Sequence, residues 1–597
     1  MHTPPNTSSV IDDSLDEPTD LFDAAGNRRV FVHRTEPRPQ IKNLDALPVT
    51  DRTLISYSRY HRYIGHAGVK HSIAIQASRG CPYRCFYCDV YKSAEFHFRR
   101  PVDHLFEEVK RLYDIGIRRI EFIDDIFNVH KKQFNGFFEE VLKHNLKLNF
   151  YFPTGLKGDL LEKDTIDLMV EAGARGVNLS LEHAAPRMQK VMRKNLKVDK
   201  LHENLVYITE KHPIVILTLN AMHGFPTETQ EEALQTLDYI KSIRWIHFPY
   251  LHNVRIFPGT ELEHFALEQG VPRKLIKESY SQSYHEIPTT LPFPAEFTRK
   301  IRTSFLMDYV LNRDRLLKIL PYQMEQFSED EINQRCRAYF PTRVNNLDDL
   351  LKLAKIDRSE IVPRTIFREE AITVVNLEEK LKEIYPPAVP KDPDALRVLL
   401  IEASPYFTTE ADSREYAVFE PPLGLMALLT YVNEKMAKQV NGKIIKARID
   451  FDSYEDLVKQ IKEFNPDVIG MRIMTFYQAF FRKIMHYLRS NGIETPVVVG
   501  GPYPTASFEE ILEEEMAEVA VIAEGERVFV ELLEKMLENN KELPPPAVLK
   551  TIQGIAYRTD GAELSAADLV TEKGRSGGRT RAKLSGVTPE IPAHSKS

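Results

Sequence analysis

The sequence predicts an α/β protein made of two parallel-sheet units in series, and three observations carry that prediction. Between Ser72 and Gly259, short apolar runs alternate with amphipathic segments of helical period. The stretch Pro386-Pro387-Ala388-Val389-Pro390-Lys391-Asp392-Pro393 then interrupts the chain as a stiff linker. Beyond it the same alternation resumes and runs to Glu526. Repeated strand–helix units build parallel sheets covered by helices, and such sheets carry chemistry on the loops at the carboxyl ends of their strands.

Composition narrows the class. A chain of 597 residues exceeds one ordinary domain, and 43% hydrophobic with 28% charged residues reads as globular. A net charge of −7 argues against a nucleic-acid coat as the main role. No run of about 18 apolar residues is present to span a bilayer. The start, Met1-His2-Thr3-Pro4-Pro5, lacks the charged-then-apolar pattern of a secretion signal. Four cysteines in this length fit a reducing compartment, so a cytoplasmic location is expected.

Residues 1–45 read as a mostly disordered polar tail and lead-in, becoming ordered near Ile41 to Pro48. Residues 46–290 form the first unit, with strands expected at 72–76, 119–123, 148–152, 176–181, 214–220 and 251–256. Between them, 102–113 reads as a helix with Leu105, Val109 and Leu112 on one face; 133–144 and 162–172, the latter ended by Gly173, are further helices. Residues 291–393 read as a charged helical extension, packed by leucines such as Leu347, Leu350 and Leu351, and the linker. Residues 394–545 form the second unit, with strands expected at 397–401, 444–449, 467–471, 496–501 and 519–522. Residues 546–597 read as a hairpin around Ile552 to Gly561 and a tail that is disordered from Thr571.

The first strand leads into Arg79-Gly80-Cys81-Pro82-Tyr83-Arg84-Cys85-Phe86-Tyr87-Cys88-Asp89. Three of the four cysteines, Cys81, Cys85 and Cys88, lie here in a C-x-x-x-C-x-x-C spacing. Three thiolates on one tight loop can hold three irons of a cubane cluster and leave the fourth iron open to a small molecule. Zinc is the alternative; it would want four N/S ligands, and only His97 is close enough to complete such a set. Cys336 stands alone and reads as an unreactive thiol.

Polar residues also follow the later strands: Asp124 and Asp125, Glu182 and His183, His223 to Glu228 with Gly224 and Pro226, and Arg255 to Leu262. Singly, such a carboxylate is a helix N-cap and such a glycine a turn residue. Together they mark one rim of the sheet.

These features resemble the radical S-adenosylmethionine (SAM) enzymes, and within them the cobalamin-dependent branch. The resemblance rests on the cysteine spacing with Tyr87 before the last cysteine, the paired aspartates, the Leu-Ser-Leu-Glu segment ending at Glu182, Met222 to Thr229, and Phe257 to Leu262. It covers most of residues 40 to 290. It implies a partial (β/α)6-type radical SAM barrel with a 4Fe-4S cluster on the three cysteines and S-adenosylmethionine on the open iron. Tyr87 would lie beside the adenine and Glu182 at the ribose. Asp124, Asp125, Gly224, Pro226 and Arg255 would complete the nucleoside's surroundings.

A nicotinamide or flavin domain is the obvious rival for the second unit, but no G-x-G-x-x-G follows its first strand. Pro421 to Leu425, Val499 to Thr505 and Glu524-Gly525-Glu526 resemble instead a doubly wound, Rossmann-like cobalamin-binding domain. That resemblance implies that Gly424, Thr475, Gly500, Gly501, Thr505, Gly525 and Glu526 hold the cofactor. Cobalamin proteins that replace the lower axial base carry Asp-x-His-x-x-Gly, and the place taken as its counterpart reads Asp450-Phe451-Asp452-Ser453-Tyr454-Glu455. Cobalamin is therefore expected without a histidine ligand. In most relatives this domain precedes the barrel, whereas here it follows. The Ile552–Gly561 segment resembles the hairpin that usually leads into the barrel, so the order is either permuted or part of a longer array.

The activity this implies is methylation of an unactivated carbon. Cobalamin takes a methyl group from one S-adenosylmethionine. A second, at the cluster, yields a 5'-deoxyadenosyl radical that abstracts a substrate hydrogen, and the substrate radical takes the methyl. The alternatives are a radical cyclase or rearrangement enzyme that uses cobalamin without methyl transfer, and a non-enzymatic cobalamin- or zinc-binding protein. Methylthio transfer would need more cysteines than Cys336 supplies. The expected partners are an electron donor such as flavodoxin or ferredoxin and a small-molecule, lipid or peptide substrate; nucleic acid is not expected. No catalytic side chain is assigned.

Overall fold

A computed structural model describes residues 30–560, except 62, 91–95, 280–287, 289, 341–342 and 410–418. The tail readings before residue 30 and from Thr571 lie outside these residues.

The first strand, β1 (Val30–Arg34), belongs to the second of two large sheets. The first sheet opens with β2 (Ser72–Ile75). Two short strands, β3 (Ser78–Arg79) and β4 (Phe98–Arg99), then pair antiparallel and clasp the cysteine loop between them. Five more strands complete the sheet: β5 (Arg119–Phe122), β6 (Asn149–Leu156), β7 (Ala174–Glu182), β8 (Ile216–His223) and β9 (Phe248–Asn253). The order is β2-β5-β6-β7-β8-β9, every pair is parallel, and β2 and β9 stand at the two open edges. This is the expected open six-stranded α/β barrel.

Its core forms because one face of each crossover helix is apolar at helical spacing. The helix Lys131–Lys143 buries Phe134, Phe137, Phe138 and Val141 against Phe122, Phe150 and Phe152 of the sheet. The Phe122 and Phe152 rings stack at 5.3 Å, a contact worth about 1 kcal/mol beyond its buried area. The last strand lies three residues earlier than the sequence suggests. Phe248 to Asn253 pair with β8, while Val254 and Ile256 leave the sheet to pack under the rim.

The helical extension (Ala295–Ser304, Arg313–Gln326, Glu329–Arg337, Leu347–Ala354, Leu377–Ile384) closes the amino ends of the barrel. Arg119, the first residue of β5, meets Glu331 at 2.6 Å with both side chains 1% exposed. Arg335 donates to the carbonyls of Ala67 and Gly68 and lies over the Phe248 and Phe327 rings. Removing one partner of such a buried pair costs about 3–5 kcal/mol, so the extension is part of the barrel's fold.

The second sheet has seven strands in the order β1-β15-β14-β13-β12-β10-β11. β10 (Leu396–Glu402), β11 (Val440–Lys446), β12 (Val468–Arg472), β13 (Val497–Gly500) and β14 (Val519–Val521) are parallel, and helices lie between successive strands. β15 (Ile555–Asp560) joins antiparallel to β14, and β1 antiparallel to β15. Two readings change here. Residues 30–34, taken with the tail, form a strand, and the segment read as a hairpin is one strand whose partners are β14 and β1. Neither change has a local signal, because β1 and β15 find each other only across the whole chain.

Candidate functional site

The cysteine loop is pegged to the rim by Phe86. Its side chain is 4% exposed among Met188, Met192, Phe225 and Leu262. Its N–H donates to the Met192 carbonyl at 3.1 Å, and its carbonyl accepts from Leu262 N at 2.9 Å. Gly80 turns the chain into the loop at φ +84°, a conformation that costs glycine little, and gives its N–H to Asp125 Oδ2 at 3.0 Å.

Cys81, Cys85 and Cys88 are partly exposed and none is in a disulfide. Burial pushes the Cys81 thiol up to about 11 and Cys88 up to about 12, with the neighbouring thiols adding to both. Thiols held this close resist ionisation together, and a bound cation is what makes three thiolates compatible. His97, the residue a zinc site would have needed, engages the Ile126 carbonyl through Nε2 at 3.0 Å. Among the described residues no three or more His, Cys, Asp or Glu side chains converge as on one metal ion; a cluster that takes one thiolate per iron does not ask for that convergence. The donor set fits a cluster held by three cysteines.

Around the loop most rim residues act as supports, and Glu182 stands apart. Asp124 is 1% exposed and accepts from Ala77 N and Ser78 Oγ at 3.0 and 2.6 Å, so it holds the approach to the loop. Glu228 does the same for the next turn: it accepts from Gly224 N and Phe225 N at 2.6 and 2.8 Å and meets His183 Nε2 at 3.0 Å. Gly224 sits at φ +95°, where an added Cβ would meet Leu291 Cδ2 at 2.3 Å. Pro226 is buried in the same turn. Arg255 donates to the Ser279 carbonyl at 2.6 Å. Glu182 differs. A register shift between Ser180 and Glu182 and a φ of +61° re-aim it. There it pairs with Lys194 at 2.7 Å, and Lys194 also reaches Tyr87 Oη at 3.5 Å. Lys194 and Phe86 carry no signal in the sequence; a lysine three residues before a helix cap and one apolar residue between cysteines make no motif.

Facing this rim is a cavity of about 460 Å3 lined from both domains. Gln76, Arg79, Gly80 and Asp125 form the barrel wall. The opposite wall is made by the carboxyl ends of β12, β13 and β14 and the start of the helix Leu423–Lys435. Leu44, Leu47 and Pro48 of the lead-in close one side. Of the residues the sequence assigned to the second cofactor, Gly424, Gly500, Gly501, Gly525 and Glu526 line this cavity. Thr475, 4% exposed, and Thr505, whose Oγ1 accepts from Ala523 N at 3.2 Å, are not in its lining.

The fit to a large planar cofactor rests on the glycines. A Cβ on Gly500 would meet only Val521 Cβ, at 3.9 Å, so a side chain there would project into open cavity. Gly501, at φ +102°, would bring its Cβ to 3.0 Å from the Ile473 carbonyl. Glu526 is already engaged: Arg79 reaches it at 2.6 Å and Glu524 at 3.7 Å, and Glu524 also accepts from Ile41 N at 2.7 Å. Asp450 to Glu455, read as the place of the missing imidazole, follow β11 and do not line the cavity. The residues that do include one histidine among those described, His104, whose Nδ1 accepts from Arg100 Nε at 3.3 Å.

Two protein families match the chain: the Radical SAM superfamily over residues 75–240 and the B12 binding domain over residues 413–533. An uncharacterized methyltransferase, PH0819, of Pyrococcus horikoshii is 27% identical over 244 residues, 40% of this chain and 50% of that protein. The ribosomal protein uS12 methylthiotransferase RimO of Escherichia coli is 26% identical over 235 residues, 36% of this chain and 51% of its own. The chain thus spans about half the length of these relatives. Among solved structures, the radical S-adenosylmethionine methyltransferase TsrM of Kitasatospora setae, with cobalamin and a [4Fe-4S] cluster bound, matches at 20% identity and a TM-score of 0.31, covering 35% of this chain and 38% of that one. The cobalamin-dependent radical enzyme OxsB with aqua-cobalamin matches at 15% and 0.28, covering 47% and 44%.

Proposed function

We propose that this chain, a radical SAM domain followed by a B12-binding domain, methylates an unactivated carbon. The single observation that supports this most is the cavity lined from both domains, with Gly80 and Asp125 on one wall and Gly424, Gly500, Gly501 and Gly525 on the other. When bound, the cluster with S-adenosylmethionine supplies a 5'-deoxyadenosyl radical and cobalamin supplies the methyl group. The chain's own residues do the positioning. In this reading Cys81, Cys85 and Cys88 hold the cluster. Glu182, oriented by Lys194, meets the ribose hydroxyls, and Tyr87 flanks the base. Asp124 and Asp125 fix the backbone on either side of Ser78 and Gly80. The glycines of the second domain let the flat cofactor approach the backbone, and in this reading no histidine is assigned to its cobalt.

The similarity to a methylthiotransferase raises a second reading, but a further cluster would need further cysteines. The chain has only Cys336 left, and that thiol is buried in the helical extension and pushed up to about 12 by burial. Anaerobic turnover with both cofactors tests the proposal. The expected products are 5'-deoxyadenosine and S-adenosylhomocysteine together, with a substrate that gains one methyl. Deoxyadenosine with no gain in mass would favour rearrangement, and neither product would end the reading.

A further inference from the structure

The cysteine loop has two faces. Arg79 and Gly80 line the cofactor cavity, whereas Pro82, Tyr83 and Arg84 line a separate groove of about 610 Å3 on the outer side. The two share no lining residue. The groove's charged residues are Arg84, Lys190 and Arg193, with no carboxylate among them. All three are exposed, and Lys197, exposed beside Leu196 of the groove, extends the patch. Lys157, below it, lies 5.0 Å from the Tyr83 ring but is buried and paired with Asp159 at 2.8 Å, so the patch's charge comes from the exposed residues. Arg193 is paired with Glu261, but Lys190 and Lys197 have no ion pair among the described residues. This patch sits on a chain of net charge −7, so it is a local inversion of the protein's field, of the kind that steers an oppositely charged partner.

We propose that this groove is the docking surface for an acidic one-electron donor protein of the flavodoxin or ferredoxin kind. The inference rests on reading the three cysteines as a cluster site. Each encounter passes one electron: the donor's flavin or iron–sulfur centre is oxidised by one electron and the cluster is reduced by one, with no group transferred. Pro82, Tyr83 and Arg84 of the groove are the residues between Cys81 and Cys85 in sequence, so a donor seated there meets the cysteine loop on a face that does not line the cofactor cavity.

The test is binding of cluster-loaded protein to a strongly acidic flavodoxin, measured by biolayer interferometry at low and high salt. Affinity should fall with salt, and Lys190→Glu/Lys197→Glu should weaken it by about tenfold or more, mainly through slower association. Lys459→Glu/Lys462→Glu, a charge reversal on an exposed helix of the other domain, should change nothing, and equal thermal midpoints show that both variants fold. Reduction of the cluster followed by electron paramagnetic resonance should slow in Lys190→Glu/Lys197→Glu when flavodoxin is the reductant and stay unchanged with dithionite. Equal flavodoxin binding by wild type and variant would overturn the proposal. So would binding of single-stranded RNA with this residue dependence in the absence of flavodoxin binding. Failure of the cluster reading would appear separately, as wild-type protein that takes up no iron or sulfide.

Discussion

Arg79 Nη2 stands 2.6 Å from Glu526 Oε1, and the two side chains are 18% and 10% exposed. The pair joins the residue two before the first cysteine to the first turn of a helix in the other domain. Glu524 adds a second contact to the same guanidinium and a hydrogen bond to the lead-in at Ile41. Arg79 therefore ties the approach to the cysteine loop to the opposite cavity wall, beside other cross-domain pairs such as Lys277 with Glu510 at 3.0 Å.

Arg79→Ala should leave Glu524 and Glu526 without their cation and destabilise the protein by about 3 kcal/mol. Arg79→Met/Glu526→Gln should recover part of that loss. A double-mutant cycle of thermal melts should give a coupling of about 1 kcal/mol or more; additive effects would mean that the pair does not link the domains.

Lys194→Met should raise the KM for S-adenosylmethionine about tenfold, a loss of about 1.4 kcal/mol. The bulged backbone would still aim Glu182, but nothing would fix its carboxylate or the Tyr87 hydroxyl. Iron and sulfide content should not change. Equilibrium dialysis of the nucleoside against wild type and variant gives the comparison.

Cys85→Ala should abolish the visible absorption of the anaerobically reconstituted protein, while Cys336→Ala should keep it. Cys336 is 5% exposed, so its loss is a small packing defect, on the order of 1 kcal/mol. Retained absorption in Cys85→Ala would remove the ligand assignment.

Burial raises Asp124 to about 7, against hydrogen bonds from Ser78 and the Ala77 and Ser78 amides that favour its charged form. A folded-state value above the unfolded one means that the native protein binds more protons between about pH 4 and 7. Stability should therefore fall as pH rises through that window. Asp124→Asn should flatten this part of the profile of thermal midpoint against pH; an unchanged slope would assign it to other groups such as Asp125 and Glu121.

The elements whose partners are near in sequence were legible. The cysteine loop and the strand-end glycines depend on spacings of a few residues, and the periodicity of helix 102–113 states which face is buried. What escaped was set by contacts between distant segments. Glu526 lines the cavity, but its pairing with Arg79 has no signal in the sequence, and Asp450 to Glu455 can only be seen to miss the cavity once β11 is placed at the far edge of its sheet. Asp124, expected beside the nucleoside, accepts from Ala77 N and Ser78 Oγ, contacts for which the sequence carries no local pattern.

The pairing of β1 with β15 makes the second sheet discontinuous, with the barrel inserted between two of its strands. His33 and Thr559, hydrogen-bonded at 2.9 Å, are 526 positions apart. Closing a flexible loop of that length costs about 5–6 kcal/mol, so β1, translated well before the barrel is complete, waits for β15. The barrel can fold on emerging from the ribosome, but until β15 arrives β1 has no partner and β14 is a bare edge. The shared cavity is therefore assembled late, after both of its walls exist.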